Sequence, residues 1–295
     1  MSLWVWATLF AAAVQTIRFM LQKRLKGAGL STGGATFSRF LFAAPLAALG
    51  AVGVMAITGE PLPNLTPAFF GFAIAGGAAQ VVATFLTVAL FSLRNFAVGV
   101  AFTKTETVQV ALFSWVILGE AVGVWALAAI GVGVIGVVLL VRGAKGARFD
   151  RRAAVYGIAA GGLFGISAIG YRGATAELLP MGFLARALVA LSIVTLMQSA
   201  GMMAYLRLFE RGELGRVLRA WRRTIWVGVT GVLGSAGWFA AFALHNAAMV
   251  RAVGQVEIVF TLLVSWVVFK ERLGGRELLG IALVVSSLLT IVLMA

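Results

Sequence analysis

The chain has 295 residues, of which 61% are hydrophobic and only 12% are charged. Soluble proteins carry about a quarter charged residues, so an ordinary soluble domain is excluded and most of this chain belongs in lipid. The net charge of +14 sits almost wholly between apolar segments, as membrane-orientation signals do, which argues against nucleic-acid binding; with no cysteine, disulfides and thiolate metal sites are excluded.

Ten apolar stretches of spanning length follow one another, at 3–24, 35–58, 67–92, 95–118, 122–142, 153–175, 181–206, 224–246, 249–269 and 275–294. About 20 apolar residues suffice to cross a bilayer as a helix. No basic residue precedes the first stretch, so it reads as a membrane helix and not as a signal peptide. Links such as Arg94-Asn95 are so short that neighbouring helices must run antiparallel. Two connections are longer and polar. Residues 143–152 divide the chain into halves, 1–145 and 146–295. Residues 207–223 carry Glu210 and Glu213 among arginines and predict a short surface helix.

Basic residues crowd the links after segments one, five, seven and nine. They include Lys23, Arg24 and Lys26, then Arg148, Arg151 and Arg152, then Arg216, Arg219, Arg222 and Arg223, and finally Lys270, Arg272 and Arg276. The opposite side holds Arg251 and little else. Cytoplasmic loops carry the Lys/Arg excess, so both termini are predicted to be periplasmic.

The stretch 95–120 has a twin 151 residues on, at 246–271. Glu106 falls on Glu257, Ser114-Trp115-Val116 on Ser265-Trp266-Val267, and Glu120 on Glu271. Glu106 lies about 16 Å along a helix from Asn95, near the midplane of a hydrocarbon core about 30 Å thick. Five segments per half is an odd number, so the second half enters the membrane inverted, a transporter architecture. The predicted fold is therefore an all-α membrane protein. Its ten transmembrane helices form two inverted five-helix repeats around a central cavity, complete as a monomer.

The two halves and their segment ends, Trp115-Val116-Ile117-Leu118-Gly119-Glu120 and Trp266-Val267-Val268-Phe269-Lys270-Glu271, resemble the ten-helix EamA-type branch of the drug/metabolite transporter superfamily. Lys270 departs from the Gly-Glu ending. The resemblance implies a bacterial inner-membrane secondary transporter, often an exporter of amino acids or related metabolites. It also implies a central cavity lined mainly by helices one, three, four, six, eight and nine.

Polar side chains at helical spacing mark candidate cavity faces. They are Gln15, Arg18 and Gln22 in segment one, and Gln80, Thr84 and Thr87 with Phe91 in segment three. Segment six offers Ser167, Tyr171 and Arg172; segment eight offers Ser235, Trp238, Phe242 and His245. Segments four and nine supply Thr103, Lys104, Glu106, Gln255 and Glu257. Polar faces in a lipid-embedded bundle point at one another or at a water-filled cavity. The substrate-binding set read from these faces is Gln15, Arg18, Gln80, Thr84, Lys104, Glu106, Tyr171, Ser235, Trp238 and Glu257.

Ionised groups discriminate most, because one at the centre of a spanning helix costs roughly 2.5–3.5 kcal/mol. The deep set is Arg18, Lys104, Glu106 and Glu257, whose charges balance. Arg39, Arg172 and Arg186 lie nearer segment ends and are expected at the interface, with Arg186 able to pair with Glu177. Lys104 and Glu106 face different ways along one helix. A cavity offering both signs suits a zwitterion such as an amino acid, and Glu106 and Glu257 are also candidates for carrying coupling protons. Glu120 and Glu271 read as structural helix-end residues.

Gly157, Gly161 and Gly165, and Gly228, Gly231, Gly234 and Gly237, predict close helix approach. Trp4, Trp6, Trp115, Trp125, Trp226 and Trp266 read as interfacial anchors, and Trp238 as a stacking surface for substrate. The leading function is secondary transport of a small polar metabolite, with no cofactor. The alternatives are exchange of an anionic metabolite through Arg18, Lys104 and the interfacial arginines, and, remotely, a membrane-embedded enzyme or lipid-handling protein. One histidine, no cysteine and no metal-ligand cluster leave that last class with little to work with.

Overall fold

The computed structural model describes residues 2–93, 100, 103–119, 123–141, 151–270 and 275–294. Among these residues there are helices and no strands, as a bilayer requires of a chain that must satisfy its backbone internally. The first half contains α1 (Leu3–Gly27), α2 (Thr32–Leu41), α3 (Ala43–Thr58), α4 (Pro67–Leu93), α5 (Glu106–Leu118) and α6 (Val124–Val141). The second contains α7 (Arg151–Ala176), α8 (Phe183–Phe209), α9 (Glu213–Arg219), α10 (Trp221–Leu244), α11 (Ala247–Val253), α12 (Glu257–Val267) and α13 (Gly275–Met294). Seven helical stretches among the described residues are long and apolar enough to cross a membrane. They are 3–27, 32–58, 67–93, 151–176, 183–209, 221–244 and 247–267.

Two predicted segments are broken where they had been read as continuous. The segment at 35–58 divides at Phe42 into α2 and α3. The segment at 249–269 divides into α11 and α12 around a 3₁₀ turn, Gly254–Val256. A matching turn, Thr103–Thr105, precedes α5, and adding 151 to its bounds gives those of the second turn. The first residues after the turns are Glu106 and Glu257, each opening an α-helix. A helix N-terminus carries about half a positive charge, which favours a carboxylate at that point. Of predicted segment 95–118, residues 95–99, 101 and 102 lie outside the described residues, as do Glu120 and Glu271.

The four most extensive helix pairings are α4 with α7, α1 with α10, α6 with α13 and α3 with α8. Each joins a helix of the first half to one of the second. Small residues permit the closest crossing: a Cβ added to Gly170 of α7 would lie 2.6 Å from the Cα of Gly76 of α4. The predicted glycine row of α10 serves the same end. Gly237 lies against Ala7 and Ala11 of α1, Gly234 against Gln15, and Gly231 against Arg39 of α2.

Carboxylates from the links close two helix starts. Ser31, the N-cap of α2, donates its N–H to Glu213 Oε1 at 2.6 Å and its hydroxyl to Glu210. Gly182, the N-cap of α8, donates its N–H to Glu60 at 3.0 Å. Glu213 is fully buried and also pairs with Arg216 at 2.7 Å. The predicted short helix in 207–223 is thus α9, which contributes a buried carboxylate to the start of α2.

Gly119, which follows α5, has φ +66°, and Lys270, beyond α12, has φ +56°. Both are left-handed, the usual way to end a helix. Glycine adopts this conformation freely, whereas a residue with a Cβ pays about 1 kcal/mol or more. The Lys270→Gly variant should therefore gain about 1 kcal/mol, and Gly119→Ala should lose a similar amount. Thermal unfolding of the detergent-solubilised protein reads both, as a rise and a fall of the midpoint.

Candidate functional site

Two buried ion pairs cross between the halves. Lys104, in the turn before α5, reaches Glu257 Oε2 at 2.5 Å. Arg251 of α11 places Nε 2.8 Å from Glu106 Oε1. All four residues are buried: Glu257 is 0% exposed and Glu106 4%. Lys104 and Glu106 turn to different partners because they sit two apart on the same stretch. Each carboxylate opens its own helix, and each is neutralised by a cation from the opposite half.

A polar chain extends this layer. Gln15 of α1 donates Nε2 to Glu257 Oε2 at 2.9 Å, so two donors converge on one carboxylate oxygen. The indole N–H of Trp238 in turn donates to Gln15 Oε1 at 3.0 Å. The Arg251 guanidinium lies 4.4 Å from the centre of the Trp238 ring and 5.3 Å from that of Phe242, within cation–π range. Trp238 is 3% exposed. In this conformation its face serves Arg251, where a substrate had been expected to stack.

A second cluster lies where α4, α7 and α8 meet. Tyr171 donates its hydroxyl to Gln80 Oε1 at 2.8 Å. Gln198 Nε2 donates to Gln80 Oε1, Tyr171 Oη and the Gly77 carbonyl, at 3.0, 3.1 and 3.0 Å. Tyr171 also packs on Phe239 with ring centres 4.2 Å apart. Arg39 donates to Thr84 Oγ1 at 2.9 Å and to Ser235 Oγ at 3.1 Å, binding α2 to α4 and α10. All ten predicted site residues are buried.

Several expectations need correction. Arg39 is not interfacial: it is 2% exposed, because α2 is enclosed by α4, α8 and α10. Arg251 is not a loop cation but a buried ion-pair partner. Its position near a segment start concealed this, since α11 packs inside the bundle against α5, α1 and α13. Among the described residues Arg18 has no carboxylate at ion-pair distance; it donates to Gln22 Oε1 at 2.9 Å. Arg186 does not take Glu177, which accepts instead from Thr66. With Arg172, Arg186 donates to the carbonyls of Ala243 and Phe242 at the C-terminal end of α10, where a cation meets the negative end of the helix dipole. Trp4 is buried and stacked on His245 at 4.4 Å. Gln198 was missed altogether, although it lies mid-segment with Thr195 and Ser199.

The predicted charge balance also changes. Among the described residues this interior region holds four buried cations, Arg18, Arg39, Lys104 and Arg251, against two carboxylates, Glu106 and Glu257. Nor do the predicted faces open on one wet chamber here: the polar side chains meet one another directly. A cavity of about 470 Å³ lies between α4 and α8 beside the second cluster, lined by Gly77 and Gln198 and otherwise almost wholly by apolar residues, including Ile74, Val81, Phe85 and Met202. No group of three potential metal ligands occurs among the described residues.

Removing one partner of a buried pair costs about 3–5 kcal/mol, mostly through the charge left alone. Lys104→Met should therefore destabilise the protein by about that much, and the double variant Lys104→Met/Glu257→Gln should recover most of the loss. A double-mutant cycle on unfolding in detergent measures it. Strictly additive losses would show that the two charges are not coupled.

Residues 151–293 match the profile of the EamA-like transporter family. No curated protein matches the chain in sequence. A solved structure, titled only "Crystal structure of protein", shares the fold with a TM-score of 0.71 at 16% identity, over 98% of this chain and 97% of that one.

Proposed function

We propose, from the premise that this chain carries an EamA-like transporter family domain at residues 151–293, that it is a secondary transporter moving a small polar metabolite by alternating access. The observation that carries this reading is the reciprocal ion pairing at Glu106 and Glu257. Ionisable groups inside a membrane protein are expensive and mark solute or ion pathways. Here they sit at breaks in helices, where transporters place their binding sites. Ion pairs between halves are switchable contacts. They hold the halves together in an occluded state and are exchanged for substrate charges when one side opens.

The proposed architecture is ten transmembrane helices in two inverted repeats, 1–145 and 146–295. The offset of 151 residues supports it, recurring in the 3₁₀ turns, the helix-opening glutamates, the left-handed ends and the N-caps Ser31 and Gly182. So does the pairing pattern: α1 with α10 and α4 with α7 are the two contacts that a two-fold relation would exchange. A bacterial inner membrane, periplasmic termini, a monomeric unit and export complete the proposal. Protonation of Glu106 or Glu257 would release its cation, which makes either a coupling site.

An amino acid or related zwitterion is the proposed cargo, since the layer offers both signs of charge. The surplus of buried arginine favours a second reading, an anionic metabolite. Purified protein in liposomes should release a labelled solute chemically unchanged; conversion to a product would instead support an enzyme. In that assay Lys104→Gln should slow flux roughly tenfold or more, equivalent to about 1.4 kcal/mol. Glu106→Gln separates the readings: a zwitterion carrier loses flux, whereas an anion carrier keeps it. Wild-type flux in both variants would end the transport role assigned to this layer.

A further inference from the structure

Four interior cations face two carboxylates, and the pairing identifies the surplus. Lys104 and Arg251 have partners, while Arg172 and Arg186 cap α10. Arg18 and Arg39 remain. Arg18 is 1% exposed, donates NH1 to the neutral Gln22, and leaves NH2 with no hydrogen-bond partner. Arg39 is 2% exposed and donates only to the hydroxyls of Thr84 and Ser235. Among the described residues neither has a carboxylate at ion-pair distance.

The two side chains converge on one place. A Cβ built on Gly231 of α10 would lie 3.1 Å from Arg39 Cγ and 3.7 Å from Arg18 Cδ. Their stems therefore run side by side where α10 lacks a side chain. The C-terminal end of α2, where Arg39 sits, supplies at most about half a negative charge, too little to offset two guanidinium groups. A buried charge without a counter-charge is costly, and two of one sign repel as well. An anion arriving there removes both penalties at once.

We infer that Arg18 and Arg39 form an oxyanion subsite, which receives the carboxylate or phosphate group of the cargo beside the ion-pair layer. This rests on the transport reading and narrows its cargo to compounds bearing an oxyanion. Guanidinium forks match planar carboxylates and phosphates through paired N–H donors. Arg18 NH2 is a donor already free for one. The Thr84 and Ser235 hydroxyls hold Arg39 from two helices, so the subsite spans α1, α2, α4 and α10. A cargo that also carries an ammonium group can place it toward Glu257, whose side-chain partner Gln15 lies one turn before Arg18 on α1.

The test is a thermal-shift and equilibrium-binding series on the intact detergent-solubilised protein. The probes are acetate, succinate, glutamate, alanine, inorganic phosphate, chloride and ethylamine. Ligands that bind the folded state raise its midpoint by mass action. At least one carboxylate or phosphate probe should stabilise the wild type, with chloride and ethylamine well behind. Arg39→Gln and Arg18→Gln should each weaken that probe about tenfold or more. Arg39→Lys and Arg18→Lys keep the charge but lose the fork; they cover the case of a glutamine variant that fails to fold, and should weaken oxyanion binding by a smaller factor.

Equal stabilisation by chloride would overturn the inference, reducing the site to a resident counter-ion. Unchanged oxyanion affinity in the arginine variants, or preference for ethylamine, would overturn it too. Phosphate binding without carboxylate binding, or the reverse, identifies which oxyanion is taken. Liposome flux separates the two levels. Oxyanion binding with no flux would sink the transport reading and leave the subsite. Flux of an amine that is indifferent to Arg18 and Arg39 would sink the subsite and leave transport.

Discussion

A charge taken out of water must find a counter-charge, and in a bilayer it cannot find water instead. That constraint organises the centre of this protein. Glu106 and Glu257 each open a helix whose N-terminal dipole already favours a negative group. Each then draws its counter-ion from the opposite half. Lys104 cannot neutralise Glu106, two residues on, because the two project in different directions, and in the second half the equivalent position before Glu257 is the neutral Gln255. The halves are therefore held together by electrostatics as well as by packed glycine faces.

The same exchange between halves recurs at the helix starts. The link that holds α9 sends Glu210 and Glu213 to the start of α2, and the link after α3 sends Glu60 to the start of α8. A helix N-terminus leaves N–H groups without partners, and a carboxylate answers them best. Three features thus have a counterpart 151 residues away: the helix-opening glutamates, the capped helix starts and the helix pairings; the paired cations do not, since Lys104 falls on Gln255 and Arg251 on Val100.

Arginine is used here in three ways. Arg251 is a partner, embraced by Glu106 and an aromatic face. Arg172 and Arg186 close the C-terminal end of α10. Arg18 and Arg39 lie buried among neutral groups, and they make the interior electropositive. That imbalance weighs more than any single hydrogen bond, since a low-dielectric interior magnifies every uncompensated charge.

The sequence by itself determined the class of protein and the position of its centre. Apolar runs of spanning length dictate helices, and the twin stretches mark Glu106 and Glu257 as equivalent positions, because backbone satisfaction and sequence offset are local rules. It also aligned Gly119 with Lys270, but that both end their helices in the left-handed conformation is seen only in the structure. What only the tertiary structure decided is which charge meets which. Helical spacing reports a face, not the neighbour opposite, so Arg251 and Arg39 looked peripheral when counted along their segments. α4, α8 and α10 enclose Arg39, and α1, α5 and α10 enclose Arg251. Gln198 stands with Thr195 and Ser199 at i, i+3 and i+4, a polar face of the kind that marked Gln15 and Gln80, so its role was legible but overlooked. Ion pairing and burial arise from contacts between segments more than a hundred residues apart, and no periodicity within one segment encodes them.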